Sequence, residues 1–190
     1  MPESSRDIAE ERCRVLLVPG IGNSGPAHWQ SHWEKLPGSY MRVQQRDWDN
    51  PVCVDWMESL EVAAQRAGPD VLVAGHSLGC LLIAHWLLRT SCKVRGALMV
   101  AVPDPNGPNF PTQASGFAPV PDARLACPSI VVASTDDPYG GLEFARGYAQ
   151  HWGSRLTNIG PAGHINAASG LGEWSEGHRM LRELMAGSLM

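Results

Sequence analysis

The sequence predicts an α/β fold of the doubly wound kind, built on a mostly parallel six-stranded sheet. Three observations carry this. Six short runs rich in Val, Ile, Leu and Ala recur along the chain, and they lack the apolar-polar alternation of a half-exposed sheet, as strands buried on both faces do. Stretches with helical spacing separate them, which is how crossovers cover a parallel sheet. A chain of 190 residues, 44% of them hydrophobic, is enough for one sizeable core. A single domain over 1–190 is expected, with residues 1–12 a flexible or poorly ordered tail.

In order, the strand candidates are Arg14 to Val18, Met41 to Gln45, Val71 to Ala74, Gly96 to Val102, Ser129 to Ser134 and Leu156 to Ile159. Helices are expected at His28 to Leu36, Leu78 to Thr90, Leu142 to His151 and Trp174 to Met185. A further one follows from Val54, Met57, Leu60 and Ala64, whose spacing of three or four residues makes one apolar face. The segment from Pro103 to Pro128 holds seven of the fifteen prolines, so it is no long helix. It reads equally as a short lid over the sheet's carboxyl end or as a surface connection.

Composition excludes several function classes. The net charge is -4 with a pI near 5.9, and no run of Lys or Arg forms the stripe that a phosphate backbone needs, so nucleic acid is not an expected partner. Five cysteines without a C-x-x-C pair suggest neither a disulfide framework nor a zinc ribbon. The polar, acidic opening Met-Pro-Glu-Ser-Ser-Arg-Asp is unlike a signal peptide, and no apolar run reaches membrane-spanning length. A soluble cytoplasmic protein without a membrane partner is expected.

The strongest chemical signal is Gly75-His76-Ser77-Leu78-Gly79, between the apolar run Val71 to Ala74 and the helix-like Cys80-Leu-Leu-Ile-Ala-His-Trp-Leu-Leu. This is a G-x-S-x-G nucleophile elbow in its strand-turn-helix setting. The flanking glycines let strand and helix backbones approach, and the turn lifts the Ser77 hydroxyl above the sheet. It also leaves the Leu78 amide at a helix amino terminus, aimed where an oxyanion would form. A second donor is expected from the glycine-rich loop after the first strand, with the Ile21 amide as candidate. In a sheet ordered 2-1-3-4-5-6 the direction of winding reverses between strands one and three, so both loops flank one crevice.

A base follows after the last strand in Gly160-Pro-Ala-Gly-His164-Ile-Asn. Neutral imidazole takes the serine proton and returns it to the leaving group within the physiological pH range. A carboxylate follows the fifth strand, where Asp136 and Asp137 are adjacent. Neighbouring side chains diverge at a strand end, so one faces the imidazole and the other caps the turn. Asp137 is favoured. The order Ser, Asp, His is that of this elbow's usual triad. The chemistry calls on no metal and no cofactor, and its partner is a small-molecule ester.

Pro-Gly-Ile-Gly-Asn-Ser, His28-Trp29-Gln30-Ser31-His32-Trp33, Gly-His-Ser77-Leu-Gly, Ser-Thr-Asp-Asp137-Pro and Gly-His164-Ile-Asn together resemble the small retinoblastoma-binding-protein-type serine hydrolases. The likeness runs from about Val15 to Met185, with its elements in the family's order. It implies an α/β-hydrolase fold without a large cap domain, the same triad, and an esterase-like activity on small acyl esters. Some members of that family are discussed as partner-binding proteins, so a vestigial hydrolase site with a binding role is the competing expectation. The Leu-x-Cys-x-Glu element that names the family is absent, the nearest stretch being Leu125-Ala-Cys127-Pro-Ser129, and binding of that partner is not expected.

Other signals weigh less. His28 and His32 are four apart, yet Trp-Gln-Ser between them lacks a zincin glutamate, so packing or capping is the reading. Cys80 opens an apolar run with no base beside it and reads as a buried thiol. Most tryptophans read as core, while Trp48, after the second strand, and Asn23 are candidate pocket residues.

Overall fold

In the computed structural model, residues 14–187 are described; the expected tail over 1–12 lies outside them. Six strands form one sheet: β1 (Arg14–Val18), β2 (Ser39–Arg42), β3 (Val71–His76), β4 (Val94–Val100), β5 (Ser129–Ala133) and β6 (Arg155–Asn158). Their order is β2-β1-β3-β4-β5-β6 and every neighbouring pair is parallel. Five helices accompany them: α1 (Trp29–Trp33), α2 (Cys53–Ala67), α3 (Leu78–Leu87), α4 (Leu142–Trp152) and α5 (Ser175–Met185), with a short 3-10 turn at Ala167–Ser169.

Strand side chains alternate between the two faces, and the cores divide by that parity. Leu16, Val18, Val71, Val73, Ala97, Met99 and Val131 pack with residues of α2, α3 and α4. Val15, Leu17, Leu72, Ala74, Leu98 and Ile130 pack with Trp29 and Trp33 of α1 and with Leu181 and Leu184 of α5. The absence of polar alternation thus has its cause in helices on both sides.

Some boundaries differ from the sequence reading. β2, at Ser39–Arg42, begins two residues and ends three residues earlier than its apolar run; as the half-exposed edge strand it is recruited by ladder pairing with β1 rather than by side-chain burial. β4 ends at Val100 because Ala101 adopts φ +56, outside the strand region. β3 runs on to His76, and all six of its residues are buried. α1 is a five-residue turn of helix, shorter than its apolar spacing suggested.

Candidate active site

Ser77 leaves β3 with φ 54 and ψ -125, a strained conformation that a side chain adopts only where its surroundings impose it. The elbow's glycines explain how it is held. A Cβ at Gly75 would meet Ile83 Cδ1 at 2.6 Å, so this residue lets α3 close on β3. Gly79 does a different job from the one its spacing suggested: it sits against the end of β1, where a Cβ would overlap the Val18 carbonyl oxygen. Gly20 brings the loop after β1 alongside, since a Cβ there would lie 2.9 Å from Ser77 Cβ and 3.3 Å from the Leu78 amide nitrogen.

His164 Nε2 lies 2.8 Å from Ser77 Oγ, and its Nδ1 lies 2.9 Å from each oxygen of Asp137. Since a carboxylate only accepts, Nδ1 carries the proton and Nε2 is left to accept from the serine hydroxyl. The Asp137 side chain is 1% exposed, and its Oδ1 also accepts from the Tyr139 amide. Asp136 faces elsewhere: its Oδ1 accepts from Ser134 Oγ and from the Gly163 amide, bracing the turn that presents His164. Those hydrogen bonds hold its carboxyl below the usual range.

Residues the sequence reading passed over grip the same turn. His76 Nε2–H donates to the His164 carbonyl at 2.8 Å, and Trp29 Nε1–H donates to the Ile165 carbonyl at 3.0 Å. The Tyr139 ring lies 4.4 Å from the His164 ring, centroid to centroid. His28 N-caps α1, its Nδ1 accepting from the Gln30 amide, and packs on His76 at 4.6 Å.

These buried imidazoles are held neutral. Burial first, then the positive charge of Arg42 and the nearness of His164, whose protonation would compete with that of His28, lowers the His28 pKa to about 4. Burial, reinforced by His28 and His164, holds His76 well below the ordinary value. The unfolded chain takes up protons near pH 6.5 while the folded protein resists them. Stability contributed by His28 is therefore whole above pH 6.5 and lost as pH falls from 6.5 toward 4, on the order of 3 kcal/mol for that group. Urea unfolding at pH 7.5 and 4.5 reads this, with His28→Asn, which keeps a capping acceptor, expected to flatten the dependence. An equal slope in the variant would refute the assignment.

The triad opens on a cavity of about 650 Å³, floored by Gly20, Ile21, Ser77 and Leu78. Pro103 and residues 108–113 of the proline-rich segment form a further part of its wall. That wall is fastened to the acid-bearing loop, with the Asp104 amide on the Tyr139 carbonyl and Asn109 Nδ2 on the Pro138 carbonyl, both at 2.8 Å. Asn23 lines the cavity as expected. Trp48 does not: its indole packs edge-on against Trp56 in the core, and it serves the site through its backbone carbonyl, which accepts from the Gly22 amide. Asp49, next along, lines the cavity instead.

Of the two expected oxyanion donors, the Leu78 amide opens α3 beside Ser77, and the Ile21 amide has no acceptor among the described residues. Cys80 is buried, donates its thiol proton to the Val100 carbonyl and is held protonated by burial. Among the described residues no helix is long and apolar enough to cross a membrane.

Comparison with known proteins gives the context. No curated protein matches the chain. A YdeN-like hydrolase from Pectobacterium atrosepticum superposes with a TM-score of 0.83 at 29% identity, over 96% of this chain and 98% of that one. The ydeN gene product of B. subtilis gives 0.76 at 17% identity, over 91% and 98%. A thermophilic esterase from Thermogutta terrifontis gives 0.66 at 16% identity, over 92% and 90%; these last two share the α/β-hydrolase fold. The family model described as serine hydrolase matches residues 15–183. By that match over nearly its whole length, the chain belongs to the serine hydrolase family, the YdeN-like and retinoblastoma-binding-protein-type group its motifs resemble.

Proposed function

We propose that this hydrolase cleaves small carboxylic esters through an acyl-enzyme, with Ser77 as nucleophile, His164 as general base and acid, and Asp137 as the carboxylate behind it. The observation that carries this reading is the unbroken line of hydrogen bonds from Ser77 Oγ through both nitrogens of His164 to Asp137, at 2.8 and 2.9 Å, on the floor of a cavity. Ser77 Oγ attacks the ester carbonyl while His164 Nε2 takes its proton, and the tetrahedral oxyanion lies against the amides of Ile21 and Leu78. His164 then protonates the departing alkoxide, and the acyl group stays on Ser77. Water, deprotonated by the same imidazole, releases the acid and restores the serine. Asp137 stabilises the imidazolium in both halves without taking the proton.

The cavity walls fit a neutral ester of modest size. Ile21, Phe110 and Tyr139 offer apolar surface, Asn23 and Gln113 offer neutral polar groups, and Asp49 adds a carboxylate that disfavours anionic esters. The likeness in fold to the Thermogutta terrifontis esterase supports this choice of substrate.

A fluorophosphonate probe tests the reading. The expected result is one covalent adduct, found on Ser77 by peptide mass spectrometry, and turnover of p-nitrophenyl esters of short acyl chain. A folded protein that takes up no probe would instead support a vestigial site serving a partner-binding role.

A further inference from the structure

The oxyanion-loop donor is useful only if it stands still, because a preorganised dipole is what stabilises a developing charge. The turn that presents it is closed by the Asn23 amide on the Gly20 carbonyl at 3.2 Å, with Ile21 and Gly22 at its centre. Gly22 and Asn23 both adopt positive φ, 73 and 64, and the Gly22 amide is tied to the Trp48 carbonyl at 2.9 Å. Asparagine is among the few side chains that tolerate this region; here its Oδ1 accepts from the Ser24 amide at 2.7 Å and from a residue at the edge of the sheet.

Arg42, the last residue of β2, has a side chain only 10% exposed. Its Nη1 donates to Asn23 Oδ1 at 2.9 Å and to the Ser24 carbonyl at 2.7 Å; its Nη2 donates to Ser31 Oγ at 2.6 Å and to Glu34 Oε2 at 2.8 Å. One planar fork thus fastens the loop after β1 to α1 with four charge-assisted hydrogen bonds. The loop is also linked to the elbow: Ser24 Oγ donates to Gln30 Oε1 at 2.6 Å, and Gln30 Nε2 donates to the Ala74 carbonyl at 3.0 Å, one residue before Gly75.

From this network we infer that Arg42 is a positioning residue for the oxyanion-binding amide of Ile21, acting through Asn23, so that a guanidinium at the sheet edge sets the rate of ester cleavage. The inference rests on the serine-hydrolase reading above. Its physical content is a difference between ground and transition states. Arg42 does not line the cavity, so its loss leaves ester binding in place, whereas a displaced Ile21 amide meets the oxyanion only in the transition state. Removing one such donor outright costs about 10²–10³ in kcat, and misplacing it costs less.

The variants are Arg42→Lys, which keeps charge and stem but not the fork, Asn23→Ala, which removes the Oδ1 that accepts from Arg42 and from the Ser24 amide, and the pair together. For a p-nitrophenyl ester, each single variant is expected to lower kcat about 10- to 100-fold, and Arg42→Lys, whose side chain lies off the cavity, to do so with KM within about twofold. The bell of kcat/KM against pH stays in place because Ser77, His164 and Asp137 are untouched. Two changes on one link are not additive, so the double variant falls no further than the worse single one. Overturning results are unchanged kcat in both singles, a rise in KM that accounts for the loss in Arg42→Lys, or effects that multiply in the double variant. If Arg42→Lys does not fold, Ser31→Ala, which removes one partner of the guanidinium away from the cavity, decides through the same split of kcat and KM. If the wild type turns over esters and loses that turnover in Ser77→Ala while Asn23→Ala behaves as wild type, only the positioning role fails. A folded wild type without Ser77-dependent turnover overturns both readings.

Discussion

On the proposed mechanism, replacing Asp137 by asparagine is expected to lower kcat for ester hydrolysis by about 10⁴, and replacing Ser77 by alanine by about 10⁶. The asparagine case turns on a tautomer. Asp137 accepts a proton from His164 Nδ1, which leaves Nε2 free to accept from Ser77. An amide in its place can donate to Nδ1, so the ring proton moves to Nε2 and the serine loses its base. Asp136→Asn is the contrasting case: its Oδ1 keeps the acceptor that the Gly163 amide and Ser134 hydroxyl require, and kcat stays within about tenfold, the scale of one weakened hydrogen bond. Because the triad acts as a unit, Ser77→Ala combined with Asp137→Asn falls no further than Ser77→Ala alone. Steady-state kinetics on p-nitrophenyl esters, with melting curves to show that the variants fold, decide this. Equal losses at both aspartates would reverse the assignment.

Gly79→Ala abolishes the fold or removes more than about 4 kcal/mol of stability. The added methyl would overlap the Val18 carbonyl oxygen and stand 2.8 Å from the Pro19 carbonyl oxygen. Neither atom can turn away, because β1 lies between β2 and β3 with Val15 to Val18 wholly buried. The chain must separate α3 from β1, losing the packing of Leu78 and Leu81 against Leu16 and Val18. Gly147→Ala is the internal control. It lies within α4 with nothing in 4 Å of the new methyl, and a gain of about 0.5–1 kcal/mol is expected from helix propensity. Urea denaturation of the two variants reads both outcomes. A Gly79→Ala protein as stable as wild type would mean that β1 and α3 stand farther apart than described.

What the sequence made legible was local. Gly75 to Gly79 is readable because one turn of backbone imposes its own residue types, and the parallel sheet is readable because burial on both faces removes polar alternation from β3 and β5. The site's supports were not readable, since they join residues far apart in the chain. Arg42 meets Asn23 across 19 positions, His76 meets His164 across 88, and Trp29 meets Ile165 across 136. The repeated His-Trp pairs of α1 hinted at packing, but nothing marked His28 and Trp29 as neighbours of the base. Trp48 illustrates the limit from the other side: proximity to a strand end fixed where its backbone goes and left the indole's direction to the core beneath.

One wall of the cavity is rich in residues whose φ is already fixed by a ring. Pro103, Pro108 and Pro111 all face the cavity, so the unbound segment has few conformations to surrender when an acyl group settles against it. Binding there pays little ordering entropy, and selectivity among acyl groups follows from how well their shape matches a stiff surface. On the ester-cleaving reading proposed above, such an enzyme would discriminate by chain length and branching in the manner of a mould, with little capacity to adapt itself to a bulkier guest.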